Sequence, residues 1–519
     1  MKKSTELFQL IKSLSISEKR YFKLSVSIQK GEKNYIKLFN AIDKQNEYDE
    51  KAIIKTFEKE NFIRQISVTK YNLCKLVLKS LRAYHSATTI DIELNELLHE
   101  VKILYTKGLF SHCKNMLKKA KYIAYKHENH VRILEVLNWE KDLMRAETYS
   151  GKKNKDIDNL LSEEKRIIDE YKNQCEFSCL DSKIFVLQLN NLYIRSEEEL
   201  QEYEVIINDQ LYRSERNALS YHAKIYFHRA HGFYFLSKSD FVDSYKHYHK
   251  LLELMDSQPL HLKENLRNYL SALHNIAVVL IYLKRYDEFK HYINKLRAIS
   301  ENHAKELSED TRFRIFIRSY NMEYFMYILR GEFETCKVLI NKIESGLQQF
   351  KRRVDKVSEL SLIYKYSYAY FGCGEYSRSL HWLNKILNDP NPELASDIHC
   401  FARIMNLILH FELGNRDLLE YIVKSTYRYL YKRKHLYKFE NSVLNFIRGK
   451  LPKIITQEEL LDGFKELKKE LEVITENSFE RKVLEYFDFN SWLESKIENR
   501  LFAEIVRKKV SNAPVFRNP

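Results

Sequence analysis

The sequence predicts an all-α fold, and three observations support that prediction. The chain of 519 residues contains only 11 Gly and 6 Pro, the residues that most often interrupt helices. Hydrophobic residues make up 44% of the chain and charged residues 30%, which is enough apolar surface for a large core. A helix–turn–helix pattern recurs with a period of 43 to 47 residues. A fixed period of this length indicates stacked helical units.

The repeated pattern is clearest in residues 371–387, which read FGCGEYSRSLHWLNKIL. Gly374 gives the turn a permissive backbone, and the aromatic Tyr376 begins the second helix. The small residue Ser379 lies on the same helix face, one turn later. Ser367, nine residues before the aromatic, offers a small side chain on the first helix. The spacing predicts that the aromatic fills the gap between the paired helices, while the small residues let the helices approach.

Earlier copies of the pattern fix its period. Aromatic anchors at positions 241, 286, 333 and 376 are separated by 45, 47 and 43 residues, and another copy begins 131 residues before the first of them. A weaker copy occupies residues 413–423. The predicted packing residues are Phe110 with Cys113; Gly232 with Phe241 and Ser244; Ala277 with Tyr286; Phe333 with Cys336; and Ser367 with Gly374, Tyr376 and Ser379.

Residues 374–390, GEYSRSLHWLNKILNDP, resemble the second half of a tetratricopeptide repeat (TPR). The shared features are the Gly, the aromatic, the small residue, the Lys-apolar-Leu run and the trailing proline. Residues 227–259 and 321–343 resemble the repeat less closely, and the period exceeds the roughly 34 residues of that family. The resemblance covers roughly residues 95–450. It implies a TPR-like right-handed α-solenoid of antiparallel helix pairs, whose concave groove binds peptides or protein segments.

The repeat divides the chain into three predicted regions. Residues 1–88 form a basic N-terminal helical region, residues 89–450 the TPR-like helical repeats, and residues 451–519 a C-terminal helical cap with a short tail. A cap is expected because the end of a helical stack needs an amphipathic cover. The predicted groove is either open or filled by the chain's own N-terminal segment, which would make the solenoid self-inhibited.

The net charge of +15 is concentrated in two blocks, the first of which is residues 1–85 with 18 Lys/Arg and 9 Asp/Glu. A short helix, a turn and a basic helix follow one another at residues 48–85. This order fits a helix-turn-helix DNA reader and equally a small helical cap. No Arg is placed for reading bases, so contact with phosphates or with an acidic partner suits these side chains better. The candidate contacts are Lys70, Lys75, Lys79 and Arg82.

The second basic block, residues 421–453, has 9 Lys/Arg and one acidic residue. Tyrosines alternate with basic residues in STYRYLYKRKHLYKFE (425–440), a composition that can bind single-stranded nucleic acid. The simpler interpretation is the end of one helix, a solvated basic turn and the start of the next helix. Such a turn would remain available to an acidic protein partner. The candidate contacts are Arg428, Lys432, Arg433 and Lys434.

Five histidines form the best candidate metal group in the sequence. His228 and His231 share a helix face, but no carboxylate or cysteine clearly completes a site. Ordinary buried or surface histidines are therefore the better interpretation. Cys175 and Cys179 also share a helix face, but a second pair of ligands is missing. The histidines of the group are His222, His228, His231, His247 and His249.

The sequence contains none of the phosphate-loop, dinucleotide, zinc-protease or nucleophile-elbow motifs. No stretch approaches the roughly 18–20 consecutive apolar residues of a membrane span. The N-terminus lacks the apolar core of a signal peptide and predicts a mature amphipathic helix. Seven scattered cysteines, an odd number, fit a reducing cytoplasm better than a disulfide framework.

These observations predict a cytoplasmic, non-enzymatic scaffold without a cofactor that binds a protein or peptide segment in its groove. The alternative is a nucleic-acid-binding regulator that uses the basic N-terminal helices, with the solenoid as its partner-binding region. A third hypothesis, an enzyme of unrecognised type, rests only on the histidine group. The sequence indicates neither the identity of the partner nor the oligomeric state.

Overall fold

A computed structural model describes residues 3–27, 33–85, 90–151, 153–190, 194–302, 307–350, 354–433 and 435–512. These residues form 26 α-helices and contain no strand, so the predicted all-α class is confirmed. Helices that are neighbours in sequence pack against each other. No helix in the described ranges combines the length and apolar character needed to cross a membrane.

The chain divides into two compact units, residues 1–167 and 168–519, with the boundary inside one long helix. The division into regions 1–88, 89–450 and 451–519 stays a prediction. The helices up to this boundary are α1 (Lys3–Ser13), α2 (Ile16–Ser27), α3 (Lys33–Lys44), α4 (Glu50–Thr56), α5 (Ile66–Tyr84), α6 (Ile90–Thr106), α7 (Phe110–Lys126), α8 (His130–Ala146) and α9 (Asn154–Asn190).

The first unit has two separate hydrophobic clusters. Helices α1, α2, α3 and α5 bury the apolar face of α5, including Leu73 and Val77, against Phe22 and Phe39. Helices α6, α7 and α8 form the second cluster, in which Val101 and Leu117 are buried. The face of α5 that carries Leu73 and Val77 therefore packs inward, whereas Leu78, Lys75, Lys79 and Arg82 are exposed.

The second unit is built mainly from consecutive helix pairs. Each pair packs internally, and its second helix also packs on the first helix of the next pair. The five pairs are α11/α12, α14/α15, α16/α17, α18/α19 and α20/α21. The helices are α10 (Glu197–Ile207), α11 (Tyr221–Ser237), α12 (Phe241–Asp256), α13 (Pro259–Glu264), α14 (Leu266–Tyr282), α15 (Tyr286–Asn302), α16 (Glu309–Leu329), α17 (Phe333–Gln349), α18 (Lys356–Gly372), α19 (Tyr376–Leu387), α20 (Ser396–Glu412), α21 (Arg416–Lys432), α22 (Lys438–Asn445), α23 (Gln457–Ile474), α24 (Ser478–Arg481), α25 (Phe489–Ile497) and α26 (Phe502–Asn512).

The turn inside each pair has a left-handed residue two positions before the second helix. This residue is Gly in three of the five pairs, where the left-handed conformation has no Cβ to strain. Other residue types occupy the same position in the remaining two pairs. The residues and their φ angles are Ser239 (59°), Lys284 (59°), Gly331 (68°), Gly374 (75°) and Gly414 (74°).

The small residue of the pattern contacts the first helix at one fixed distance along the chain. In α18/α19, the hydroxyl of Ser379 donates to the carbonyl of Ser367, twelve residues earlier, over 2.7 Å. The hydroxyl of Ser367 donates back to the carbonyl of Ser379 over 2.9 Å. In α11/α12, the hydroxyl of Ser244 donates to the carbonyl of Gly232, also twelve residues earlier, over 2.9 Å.

Cysteine occupies the same position in two other pairs. The Cys336 thiol lies 3.8 Å from the carbonyl of Tyr324, and the Cys113 thiol lies 3.6 Å from that of Val101. In α14/α15 the two positions are exchanged. The second helix has the large residue Phe289, and the small residue Ala277 lies twelve residues earlier on the first helix; both are buried. Four of the five pairs of the second unit thus place a small residue at this position, on one helix or the other, whereas α20/α21 has Leu407 and Leu419 there.

We expect Gly374→Ala to lower the free energy of unfolding by about 1 kcal/mol, through backbone strain alone. A Cβ at Gly374 would meet no atom within 4 Å, so steric overlap adds nothing to the strain of a φ of +75°. Urea denaturation of both proteins measures the change.

The matched control is Gly449→Ala, where a Cβ also meets open space and φ is not left-handed. This control is expected to be neutral or slightly stabilising. Equal urea midpoints for Gly374→Ala and the wild type would refute the strain argument.

Candidate functional site

The first helices of successive pairs form a layer in the second unit. Helix α14 contacts α16, α16 contacts α18, and α18 contacts α20. We call these four helices the first-helix layer. Two groups of residues associated with this layer are candidates for function: a segment of the chain that lies on it, and a cluster of cations within it.

Residues 482–489, the resident segment, hydrogen-bond to the first-helix layer through tyrosines. The hydroxyl of Tyr486 donates to the Asp397 carboxylate on α20 over 2.6 Å, and the Tyr364 hydroxyl on α18 donates to the Tyr486 carbonyl over 3.2 Å. The backbone N–H of Asp488 donates to the hydroxyl of Tyr368 over 3.2 Å. Both the side chains and the backbone of the segment are thus recognised.

Aromatic rings of α18 and α20 also contact the same segment. The Tyr486 ring stacks on the Phe401 ring with centroids 4.0 Å apart and planes at 14°. The Phe487 ring lies 5.3 Å from that of Tyr368 and 5.1 Å from that of Phe371. Phe487 is only 1% exposed. The segment therefore belongs to the packed core of this unit.

The predicted groove was expected to be open or filled by the N-terminal segment. In the second unit, the part of the first-helix layer formed by α18 and α20 is covered by the resident segment, which comes from the C-terminal region. No local sequence pattern marks this contact, because residues 482 and 238, which hydrogen-bond to each other, lie far apart in the chain. The polar residues inside the apolar run KVLEYFDF were the only signal.

Two ionisable residues of the resident segment, Lys482 and Glu485, are buried by their surroundings. The Lys482 ammonium donates to the Lys238 carbonyl over 2.7 Å, and burial lowers the pKa of Lys482 to about 8. Burial raises the pKa of the Glu485 carboxyl, which also accepts a hydrogen bond from Tyr282. The segment thus reaches from the turn after α11 to α20, a much longer reach than a contact between neighbouring pairs.

An ion pair of the second unit lies out of contact with water. Arg195 and Glu440 meet at 2.6 Å, with side chains 7% and 1% exposed. The Arg195 guanidinium lies 4.2 Å from the centre of the Tyr437 ring. Burial raises the pKa of the Glu440 carboxyl, and the charge of Arg195 opposes that rise. Breaking this pair would leave a buried charge, so it ties the start of the second unit to α22.

A cluster of cations lies in the first-helix layer beside the covered part. The guanidinium of Arg318 on α16 donates to the hydroxyl of Ser271 on α14 over 3.0 Å. The ammonium of Lys365 on α18 donates to the amide oxygen of Asn321 on α16 over 2.9 Å. Neither cation has a carboxylate within 4.0 Å among the described residues.

The positive charges of Arg318 and Lys365 affect the pKa values of this cluster, because no carboxylate compensates them. Burial, with the charges of Arg318 and Lys365, lowers the pKa of His274 to about 3. The buried Nδ1 of His274 has no hydrogen-bond partner. Burial lowers the pKa of Lys365 to about 8, and burial with the charges of Arg314 and Arg267 lowers that of Arg318. Each group would gain from a nearby anion.

The sequence analysis did not single out this cluster. One signal was available: Ser271 and Arg318 each lie 15 residues before the aromatic anchor of their pair, Tyr286 and Phe333. Equivalent positions of successive first helices come side by side in the layer. A search for polar residues at one repeat position would have found the pair.

The predicted contacts in the N-terminal region have different surroundings. Lys70 pairs with Glu50 over 2.8 Å, and its side chain is only 11% exposed. Lys75, Lys79 and Arg82 lie on the exposed face of α5, where the Lys75 ammonium is 4.4 Å from the centre of the Tyr71 ring. The structure thus brings three of the four side chains to one surface and engages the fourth internally.

The same α5 face borders a groove shared with α6. Lys75, Lys79 and Arg82 line one wall of the groove, and Glu96 and Glu100 line the other. The acidic wall makes the groove itself a poor site for a nucleic-acid backbone.

The second basic block is exposed only in part. Arg433 pairs with Glu393 over 2.9 Å, whereas Arg428 and Lys432 are exposed on α21. The rings of Tyr427 and Tyr431 lie parallel on that helix, with centroids 6.2 Å apart. Lys434 lies outside the described residues.

The candidate histidine group separates into three places. The rings of His228, His231 and His247 come together, with the Nδ1 atoms of His228 and His247 at 3.2 Å and the rings of His231 and His247 stacked at 4.7 Å. His222 lies against His261 instead, and His249 lies 3.5 Å from the Glu253 carboxylate. Within the described ranges, no three His, Cys, Asp or Glu residues are placed to hold a metal ion.

The predicted packing residues lie on both helices of their pairs, and Gly374 lies in the turn between them. Phe110, Phe241, Tyr286, Phe333 and Tyr376 are the first residues of α7, α12, α15, α17 and α19. Gly232 is required on α11, because a Cβ there would lie 2.8 Å from the ring of Tyr248. Cys175 and Cys179 are exposed on α9, where no second pair of ligands joins them in the described structure.

Comparison with known proteins gives no assignment. No family model matches the sequence, and no curated protein matches it. The functional interpretation therefore depends on the contacts described above.

Acidification is expected to destabilise the protein through the histidine cluster. Burial lowers the pKa of His228, His231 and His247 in the folded state, that of His247 to about 3. The unfolded chain therefore binds more protons below about pH 6.5, and stability falls as the pH falls. For His247 alone, the free energy of unfolding is expected to fall by about 2 kcal/mol between pH 7 and pH 5.

Urea denaturation at pH 7, 6 and 5 measures this loss in the wild type and in His247→Gln, which should show a weaker pH dependence. The control, His249→Gln, changes a histidine of the same helix outside the cluster and should follow the wild type. An identical pH dependence in all three proteins would show that His247 does not cause the loss of stability at low pH.

Proposed function

We propose that the protein is a non-enzymatic scaffold or adaptor that binds a protein or peptide segment on its first-helix layer. In this proposal the helix pairs form a TPR-like, right-handed α-solenoid in the cytoplasm. The repeated contact between residues twelve apart supports the repeat, because it gives successive pairs one internal geometry. The seven free cysteines support a reducing compartment.

The observation that carries the proposal is the way the resident segment is held. It lies on α18 and α20 as one 3-10 turn, Lys482–Glu485, followed by non-helical residues 486–488, and it is recognised by tyrosine hydroxyls, a buried carboxylate and stacked rings. Rigid aromatic anchors and hydrogen bonds to the backbone are also the means by which binding grooves hold partner segments. The same layer thus has the chemistry for binding peptides.

The covered and uncovered parts of the layer have different roles in this proposal. The resident segment is buried too deeply to exchange with a partner at low cost, since Val483 and Phe487 are 0% and 1% exposed. The partner is therefore assigned to the part of the layer around Arg267, Arg318 and Lys365, away from the hydrogen bond between Tyr282 on α14 and Glu485 of the resident segment. This part holds the cations that lack internal carboxylate partners.

The proposal predicts that a photo-crosslinker at Arg267, which is exposed at the start of α14, will capture a protein partner in native cells. The control places the same crosslinker at Lys290, which is exposed on the second helix α15. The expected result is a nuclease-resistant protein adduct from position 267 that is absent at position 290. Adducts with nucleic acid alone, or equal adducts from both positions, would count against the scaffold.

The alternative, a nucleic-acid-binding regulator, is favoured by one observation. Lys75, Lys79 and Arg82 share an exposed face of α5, beside the exposed ring of Tyr71. Lysines on one helix face can contact successive phosphates without reading bases. Since Lys70 pairs with Glu50, three phosphate contacts are expected in this case.

If this alternative holds, binding to duplex DNA should weaken with salt with a log–log slope of about −3. Replacing Lys75, Lys79 and Arg82 with Glu should abolish that binding in a fluorescence-anisotropy titration. The control replaces the exposed Lys51, Lys55 and Lys59 with Glu, which changes the charge of the same unit by the same amount. Equal loss in both variants would show a general charge effect rather than a site on α5.

A further inference from the structure

The groove between α5 and α6, in the first unit, has a volume of about 1170 Å³. Its two walls belong to different hydrophobic clusters, since α5 packs on α1, α2 and α3, whereas α6 packs on α7 and α8. All the side chains that line the groove are exposed or half-buried. The groove therefore presents faces of two helices that neither cluster covers.

Each wall of the groove is a stripe along one helix. Residues separated by three, four, seven or eight positions share a helix face, and the lining residues follow this spacing on both walls. Apolar side chains contribute to both stripes, and one of them, Leu78, is 48% exposed. The stripes are Lys75, Leu78 and Arg82 on α5, and Ile92, Glu96 and Glu100 on α6.

The two walls carry opposite charges. The wall on α5 has Lys75, Lys79 and Arg82, and the wall on α6 has Glu96 and Glu100. Among the residues that the structure describes, no ion pair joins one wall to the other, so these charges stay more than 4.0 Å apart across the groove. Both walls thus keep charges that a ligand lying between them would meet.

We propose that this groove binds an amphipathic helix of a partner protein, with acidic residues along one flank of its apolar stripe and basic residues along the other. A helix laid between two helices packs on both of them. Its apolar stripe would contact Leu78 and Ile92, which lie on opposite walls. Its acidic flank would lie along α5 and its basic flank along α6.

The length of the groove sets the size of the contact. Lys75 and Arg82 are seven residues apart, which corresponds to about 10 Å along α5. Two to three turns of a partner helix cover that distance, at about 5.4 Å per turn. Such a short contact is typical of an exchangeable partner and contrasts with the deeply buried resident segment of the second unit.

The charges of the walls distinguish the helix from other occupants. A nucleic-acid backbone carries negative charge only, so Glu96 and Glu100 would repel it. An apolar small molecule would leave the charges of both walls without partners. This inference does not rest on the proposed function, because the groove lies in the first unit and the first-helix layer in the second.

The first test selects displayed helices for binding to the purified full-length protein. The library fixes a leucine stripe on helices of about 15 residues, a length that can hold a helix, and varies both flanks among Glu, Lys and Gln. We expect enrichment of helices with Glu on one flank and Lys on the other. Enrichment of the same charge on both flanks, or no enrichment, would overturn the proposal.

A substitution on the groove wall tests where the enriched helix binds. Leu78→Asp should weaken binding of that helix by at least about tenfold in a fluorescence-anisotropy titration. The matched control is Val131→Asp on α8, because Val131 is 49% exposed and Leu78 48%. The control should bind as the wild type does, and both variants should keep the wild-type Tm. Wild-type affinity in Leu78→Asp would place the helix outside the groove and overturn the proposal.

Reversing the charge of one wall should change which helices are selected. With Glu96→Lys and Glu100→Lys combined, both walls are basic, and helices with Glu on both flanks should be enriched. With Lys79→Glu and Arg82→Glu combined, helices with Lys on both flanks should be enriched.

The control for charge reversal combines Lys51→Glu and Lys55→Glu on α4, where both lysines are exposed. This protein should select the same mixed flanks as the wild type. An unchanged preference in both wall variants would show that the walls do not read the flanks, and would overturn the proposal.

Two measurements on the same proteins test the other occupants. Light scattering should show the same mass for the wild type and Leu78→Asp. A dimeric wild type with a monomeric Leu78→Asp would make a second copy of the chain the occupant and overturn the partner helix. Duplex DNA that binds more tightly than any enriched helix, and is lost with Lys79→Glu and Arg82→Glu, would assign α5 to nucleic acid instead.

Discussion

The close approach of the two helices in each pair is the contact on which the rest of the structure depends. A small residue near the start of the second helix meets the first helix twelve residues earlier, as Ser379 meets Ser367 and Ser244 meets Gly232. In these two pairs a larger residue would force the helices apart and leave the carbonyl of the first helix without its partner. The left-handed turn then follows, since the chain must reverse within a few residues. Successive pairs inherit one geometry, which lines up the first helices in a layer.

The first-helix layer contains two kinds of buried polar group: those matched by charged or hydrogen-bonding partners within the chain, and cations without a carboxylate partner. Where the resident segment covers it, the buried polar groups are matched within the chain, as the Tyr486 hydroxyl is matched by Asp397. Elsewhere in the layer, Arg318 and Lys365 have only neutral hydrogen-bond partners. A folded protein retains unmatched partly buried cations at some cost in stability. Such a cost is typical of binding sites, where a ligand supplies the missing charge.

Local features of this protein were predictable from sequence, and distant ones were not. The turn at Gly374, the first residue of α19 and the crossing of Ser367 and Ser379 depend on spacings of fewer than fifteen residues. The resident segment depends on contacts across 244 residues, and no local pattern marks them. Lys70 looked like its neighbours Lys75 and Lys79 in sequence. Lys70 differs from them because the fold places Glu50 beside it, and the two side chains form an ion pair.

The long-range contacts of the resident segment also bear on how the second unit reaches its folded state during synthesis. An array of repeats that contact only their neighbours can acquire its structure progressively as it leaves the ribosome. Here Tyr364, Tyr368 and Phe401 lack their buried partners until residues 482–489 have been made. The nascent chain therefore carries exposed aromatic surface on α18 and α20 from the completion of α20 at Glu412 until residues 482–489 have been made, the state in which large proteins need protection by chaperones.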